Sequence, residues 1–204
     1  MNHVCEHPEA HWTRVACGHC WCEMCDGYVD PILRTAVKGP GPIIKCNRRP
    51  NGWETYTWWF QEEMAGSGVL TVGMRKVLPE GRVGPPRDKL YNPAHDILDK
   101  RVFEAEKRDT KNRVTYYKHF APPCDTFTKS LRGNSERTPA EPYGFDEREK
   151  VALHNVVVTR VLTLCEIRHA VGDAFSLEHV YPSLLLAFER CKELLALPGV
   201  YAVV

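Results

Sequence analysis

From residue 53 onward the hydrophobic and polar positions switch between two periods, and each switch marks a predicted element. ETYTWWFQ, residues 54–61, is aromatic and β-prone, AGSG at 65–68 is a tight glycine turn, and Leu70, Met74, Val77 and Leu78 recur at helical spacing. Residues 79–95 are rich in proline and glycine around a short strand candidate at Arg82 and Val83. HDILDKRVFEAEKRD then predicts a short amphipathic helix, and VTYYKHF, 114–120, a second strand. The polar segment 128–145 predicts a loop. A long helix is expected from Asp146 to Val171, where Val151, Val158, Leu162, Cys165 and His169 follow in steps of seven, four, three and four. AFSLEHV, 174–180, reads as a strand. Leu184, Phe188, Cys191 and Leu195 mark a helix, and VYAVV, 200–204, begins one more strand. Strands alternating with helices predict an α/β domain with a doubly wound, mostly parallel sheet.

The first 52 residues follow another pattern. KGPGPIIKCNRRPNG, 38–52, reads as a linker, which divides the chain into a module at 1–52 and an α/β domain at 53–204. Five of the nine cysteines lie within residues 5–25, and clustered cysteines mixed with histidines favour a metal site over disulfides. Cys17, His19, Cys22 and Cys25 have the spacing C-x-H-x2-C-x2-C, similar to the middle of a RING finger; short spacers direct two thiolates at one tetrahedral zinc. Four of Cys5, His7, Cys17, His19, Cys20, Cys22 and Cys25 are expected to bind one zinc, the alternative being free thiols and surface histidines. The module has few large aliphatic residues, so metal would supply most of its stability. RING-like modules recruit protein partners.

Composition narrows the function classes. The 204 residues are 43% hydrophobic and 26% charged, ordinary for a globular protein, and the net charge of +1 lacks the overall basic signature of a dedicated nucleic-acid binder. No apolar run approaches the roughly 18 residues that span a bilayer. No membrane partner is expected, and the localisation expected is intracellular, nuclear or cytoplasmic.

In an open α/β sheet, ligands bind beyond the carboxyl ends of the strands. Three candidates fall there: Gly66-Ser67-Gly68, Pro122-Pro123-Cys124, and Glu178. Each has a plain alternative. A glycine turn suits any α/β protein, a cysteine often serves as a small core residue, and Glu178 has apolar neighbours in sequence that would favour a salt bridge to an arginine.

In order, these features resemble the DNA cytosine-5 methyltransferase family. EEMAGSG, 62–68, is similar to its first cofactor motif, with Met64 in the place of the usual Phe, and His95-Asp96-Ile97 resembles its Gly-Asp-Ile. APPCDTFT, 121–128, resembles the nucleophile loop, and Glu178-His179-Val180 stands where the family has Glu-Asn-Val. The resemblance implies a Rossmann-like fold, S-adenosylmethionine as methyl donor, and cytosine C5 in DNA as acceptor, with RNA as the alternative substrate. It implies that Cys124 adds to cytosine C6 and that Glu178 binds the N3 and amino edge of a flipped base. Gly66 and Gly68 would let the backbone approach the cofactor, Glu62 or Asp88 would take its ribose hydroxyls, and Asp96 its adenine amino group.

Departures accompany the match. His179 replaces Asn, Glu63 stands at a normally apolar position, and Thr128 replaces Ser. The resemblance covers residues 56–204 and omits the family's Gln-x-Arg-x-Arg motif, target-recognition domain and final cofactor motif, which implies chemistry impaired by truncation. Lys129, Arg132 and Arg137 are the candidate phosphate contacts of the loop after Cys124, the alternative being a solvated charged loop. The competing reading is a zinc-dependent protein-interaction module on a catalytically inactive methyltransferase-like scaffold.

Overall fold

A computed structural model describes residues 55–128, 136–144 and 147–203, together with five short strands between residues 2 and 38. The chain divides into two units, Met1–Gly52 and Trp53–Val204.

In the first unit β1 (Asn2–Val4), β2 (Trp12–Arg14), β3 (Cys20–Cys22), β4 (Gly27–Val29) and β5 (Thr35–Lys38) form an antiparallel sheet in the order β1-β5-β4-β3-β2. The sequence pattern predicts no strand there. The residues are too short a run for period-2 alternation to register, and backbone pairing between neighbouring segments supplies the structure.

The second unit is α/β, built on a parallel sheet in the order β6 (Trp58–Glu63), β7 (Thr115–Phe120), β8 (Ala174–Leu177). On its other edge β6 meets residues 82–87 through parallel bridges from Phe60 to Val83 and Glu63 to Arg87. Hydrogen bonds from Gly84 N to Phe60 O at 2.8 Å and Arg87 N to Glu62 O at 2.9 Å continue this ladder. The chain therefore leaves β6 toward one side through α1 (Val69–Val77) and returns on the other through α2 (Lys100–Lys111) to β7. The winding reverses at β6.

Alternation along the strands separates two faces. Glu62, Tyr117, His119 and Ser176 lie on one, the side of α1, because Glu62 pairs with His119 across the ladder and its carboxylate reaches Thr71 of α1. Gln61, Glu63, Lys118, Phe120, Phe175 and Leu177 lie on the other, under α2 and α3 (Glu149–Val171). Phe120, Phe127, Val158, Val161, Leu162, Leu164 and Cys165 are fully buried there and form the core with Leu185 and Phe188, next to α4 (Glu189–Leu195). α3 ends at Gly172, whose φ of 78° closes the helix in the left-handed region.

Two buried polar clusters brace this layer. Lys118 donates to Glu63 at 2.7 Å and also to Glu106 of α2, and Arg87 pairs with Glu106. Burial pushes the Glu63 carboxyl above its ordinary pKa, against the opposing charge of Lys118. At the amino end of β8, Asp173 accepts from Tyr56 and from Arg113 Nε at 3.1 Å.

Several predicted boundaries shift. β6 begins at Trp58 and runs through Glu63, and α3 begins at Glu149. The periodic residues of α1 do not face the core: Thr71 is its one buried residue, while Leu70 and Val77 are exposed. Residues 201–203 form no strand; Pro198 and Gly199 break the chain after α4, and Val203 is exposed.

Candidate functional site

Four segments converge on the carboxyl edge of the sheet, in the spatial order residue 88, the 64–68 turn, the turn after β7, and the residues after β8. The glycine turn is anchored from both ends. Glu62, buried on β6, accepts from the Thr71 amide at 2.7 Å and its hydroxyl at 2.6 Å, which fixes the first turn of α1. Met64, Gly66 and Gly68 all have positive φ, of 56°, 50° and 66°, and Met64 packs against the core. Gly66 faces open space, whereas a side chain at Gly68 would meet Pro86 and the Tyr91 hydroxyl.

Asp88 is buried beside that turn. Its carboxylate accepts from Gly66 N and Leu90 N at 2.9 and 2.8 Å, while Tyr91 donates its hydroxyl to Gly66 O. Of the two carboxylates expected near a ribose, Asp88 thus touches the glycine turn itself and Glu62 is spent on α1. Asp96 is half-buried, caps the short 3-10 turn Pro93–His95, and accepts from Leu98 N at 2.9 Å.

After β7, Pro122 and Pro123 lead into a turn in which Cys124 O accepts from Phe127 N at 2.9 Å. Cys124 is a free, half-buried thiol. The adjacent Asp125 pairs with Lys150 and, at 3.3 Å, with His154 of α3. Burial raises the Asp125 pKa, but the Lys150 hydrogen bond and the His154 charge outweigh it and hold the carboxyl below its ordinary range. Burial depresses the His154 pKa.

Glu178 lies just beyond β8, and its amide donates to Phe120 O at 2.8 Å, which sets it beside the start of the Cys124 turn. Its side chain is 72% exposed, so the expected desolvation cost is absent, and its partner is His119 rather than an arginine. His119 Nε2 lies 3.2 Å from Glu178 Oε2, and His119 Nδ1 lies 2.7 Å from Ser176 Oγ, itself 2.8 Å from the Tyr117 hydroxyl. Nothing in the local sequence singles out Tyr117, His119 or Ser176. Period-2 alternation in TYYKHF and AFSL could have placed them on one face, but the register between strands was needed to join them.

His179 faces the Cys124 turn. Its Nδ1 is 2.7 Å from Ser183 Oγ and its ring meets Phe127 edge-on with centroids 5.2 Å apart. Burial pushes its pKa down to about 4, with the carbonyls of Pro123 and Val180 offsetting part of the effect.

Arg137 overturns an expectation. It is fully buried, donating to Pro142 O and Asn155 Oδ1 at 2.7 Å each, so it is a core residue and cannot meet a phosphate. Lys129 and Arg132 lie outside the described residues, as do Cys5, His7, Cys17, His19 and Cys25. Cys20 and Cys22 fall at the two ends of β3. Among the described residues no group of three metal-binding side chains occurs, and no helix is long and apolar enough to cross a membrane. No family model, curated protein or solved structure matches the chain.

Proposed function

We propose that the second unit is a Rossmann-like, S-adenosylmethionine-dependent methyltransferase domain of the cytosine-5 type, acting on DNA. The observation that carries this reading is the order of the carboxyl edge. Asp88, the Gly66 turn, Cys124 and Glu178 lie on consecutive strand ends around the point where the winding reverses, the place where open α/β sheets take ligands.

The donor set fits the cofactor. Gly66 is exposed and faces open space, and the buried Asp88 carboxylate beside it suits ribose hydroxyls. Bound there, S-adenosylmethionine supplies the methyl group. Gly66 would admit it at backbone distance and Asp88 would orient it, while Gly68, covered by Pro86 and Tyr91, shapes the turn and Met64 backs it against the core. Asp96 is the remaining candidate, toward the adenine amino group. On the substrate side, the Cys124 thiolate adds to C6 of a flipped cytosine as the C5=C6 π bond opens toward C5, loss of the C5 proton after methylation expels the thiolate again, and the Glu178 carboxylate accepts from the exocyclic amino group. Pro122 and Pro123 restrict φ and donate no amide hydrogen, so they stiffen the turn that presents Cys124.

Calorimetry with S-adenosylmethionine and covalent capture of 5-fluorocytosine DNA test the reading together. Expected are saturable binding and an adduct lost in Cys124→Ala; no binding at millimolar ligand, or no adduct, overturns it.

For the first unit the cysteine spacing supports one zinc held by four of the seven candidate ligands and a protein-recruiting role. Elemental analysis of protein purified without chelator decides it: less than about half an equivalent of zinc per chain excludes the site.

A further inference from the structure

The contacts among Tyr117, Ser176, His119 and Glu178 have a direction, and donor and acceptor chemistry sets it. An ionised carboxylate only accepts, so the 3.2 Å contact places a proton on His119 Nε2. If the ring carries only that proton, Nδ1 accepts and Ser176 is the donor of the 2.7 Å contact. With its proton committed, Ser176 Oγ accepts from the Tyr117 hydroxyl at 2.8 Å. Each donor points toward the exposed end of the chain.

We propose that His119, fixed in the Nε2–H tautomer by Ser176, is a positioning residue for Glu178. A carboxylate on a 72% exposed side chain has little packing to select its rotamer. His119 is 8% exposed and engaged at both ring nitrogens, so it is the rigid member of the pair. The imidazole takes Oε2 and leaves Oε1 free, which is the arrangement for accepting an exocyclic amino group. Glu178 is thereby set to receive the amino edge of an aminopyrimidine base, and a pyrimidine bearing a carbonyl at that position is disfavoured. This rests on the cytosine reading above. It adds a device that the motif residues alone do not contain, since both supporting side chains come from strand interiors.

Nitrogen-15 NMR of histidine-labelled protein, with His119 assigned by comparison with H119Q, reads the tautomer directly. The Nε2–H form is expected in the wild type and a mixture of tautomers in S176A. An Nδ1–H form, or a signal unmoved in S176A, overturns the proposal. The second arm is the rate of adduct formation on 5-fluorocytosine DNA with S-adenosylmethionine present. S176A and H119F each slow the adduct roughly tenfold or more at saturating DNA and leave S-adenosylmethionine affinity unchanged, while H119Q, which keeps an N–H donor, recovers most of the rate. An undiminished rate in H119F overturns the positioning role. If the wild type forms no adduct, the cytosine reading fails, and the tautomer measurement still decides whether His119 orients Glu178.

Discussion

Arg137 lays its guanidinium carbon 3.9 Å from the centroid of the Phe127 ring, and this stack ties the segment beyond Cys124 to the core. The same head group donates to Asn155 of α3 and to the Pro142 carbonyl, and reaches Thr126 Oγ1 at 3.3 Å. The Cys124 turn is therefore held from beneath by a charge that the sequence places in a polar loop.

Replacing Arg137 by Ala removes the stack and leaves several buried acceptors unsatisfied. A loss of about 2–4 kcal/mol is expected in chemical denaturation. Arg137→Lys recovers little, because an ammonium lacks the planar fork that serves these acceptors together. Unchanged stability in Arg137→Ala would exclude the bracing role.

Lys118 is the cation between Glu63 and Glu106. Lys118→Met leaves two buried carboxylates with Arg87 as their remaining partner, and a destabilisation of about 3–5 kcal/mol is expected. Adding Glu106→Gln to Lys118→Met should restore part of it, a coupling that a double-mutant cycle measures.

His179 gives stability a pH dependence of definite sign. Its folded pKa of about 4 lies below the ordinary value near 6.5, so the unfolded chain binds the proton more readily. Its contribution is present above about pH 6.5 and is lost as pH falls toward 4, with a slope of at most about 1.4 kcal/mol per pH unit. His154, also depressed by burial, acts in the same sense. His179→Asn should flatten the slope in denaturation midpoints between pH 6.5 and 4 without removing the part due to His154.

Under the methyltransferase proposal Asp88 serves the cofactor, and Glu62 is left to support α1. Asp88→Asn is expected to weaken S-adenosylmethionine binding by roughly tenfold, the value of one charge-assisted contact of about 1.4 kcal/mol. Glu62→Ala should lower stability by about 1–3 kcal/mol and speed amide exchange at Thr71, because it removes the acceptor for both Thr71 donors. Comparable losses of binding in both variants would contradict this division.

Period and turn chemistry foretold the parallel α/β arrangement because β6, β7 and α3 are long enough for a pattern to repeat. They failed where partners come from far along the chain. Asp88 sits in GPPRDK, a poor strand by composition, yet its backbone neighbours pair with β6 and bring its carboxylate to Gly66. Arg137 reads as a solvated loop residue until Phe127 and Asn155 surround it. Glu178 reads as a costly buried charge from its apolar neighbours Leu177 and Val180, but β8 ends at Leu177 and releases it to solvent. VYAVV has strand composition, yet residues 200–203 form no strand, and composition alone does not make one.

The alternation along β7 and β8 also bears on how such a domain can change over generations. Tyr117, His119 and Ser176 face one way, and Lys118, Phe120, Phe175 and Leu177 face the other, so exchanges in the first set leave the core under α2 and α3 in place. A lineage could drift at the first set, losing or exchanging its substrate, while the second kept the scaffold intact.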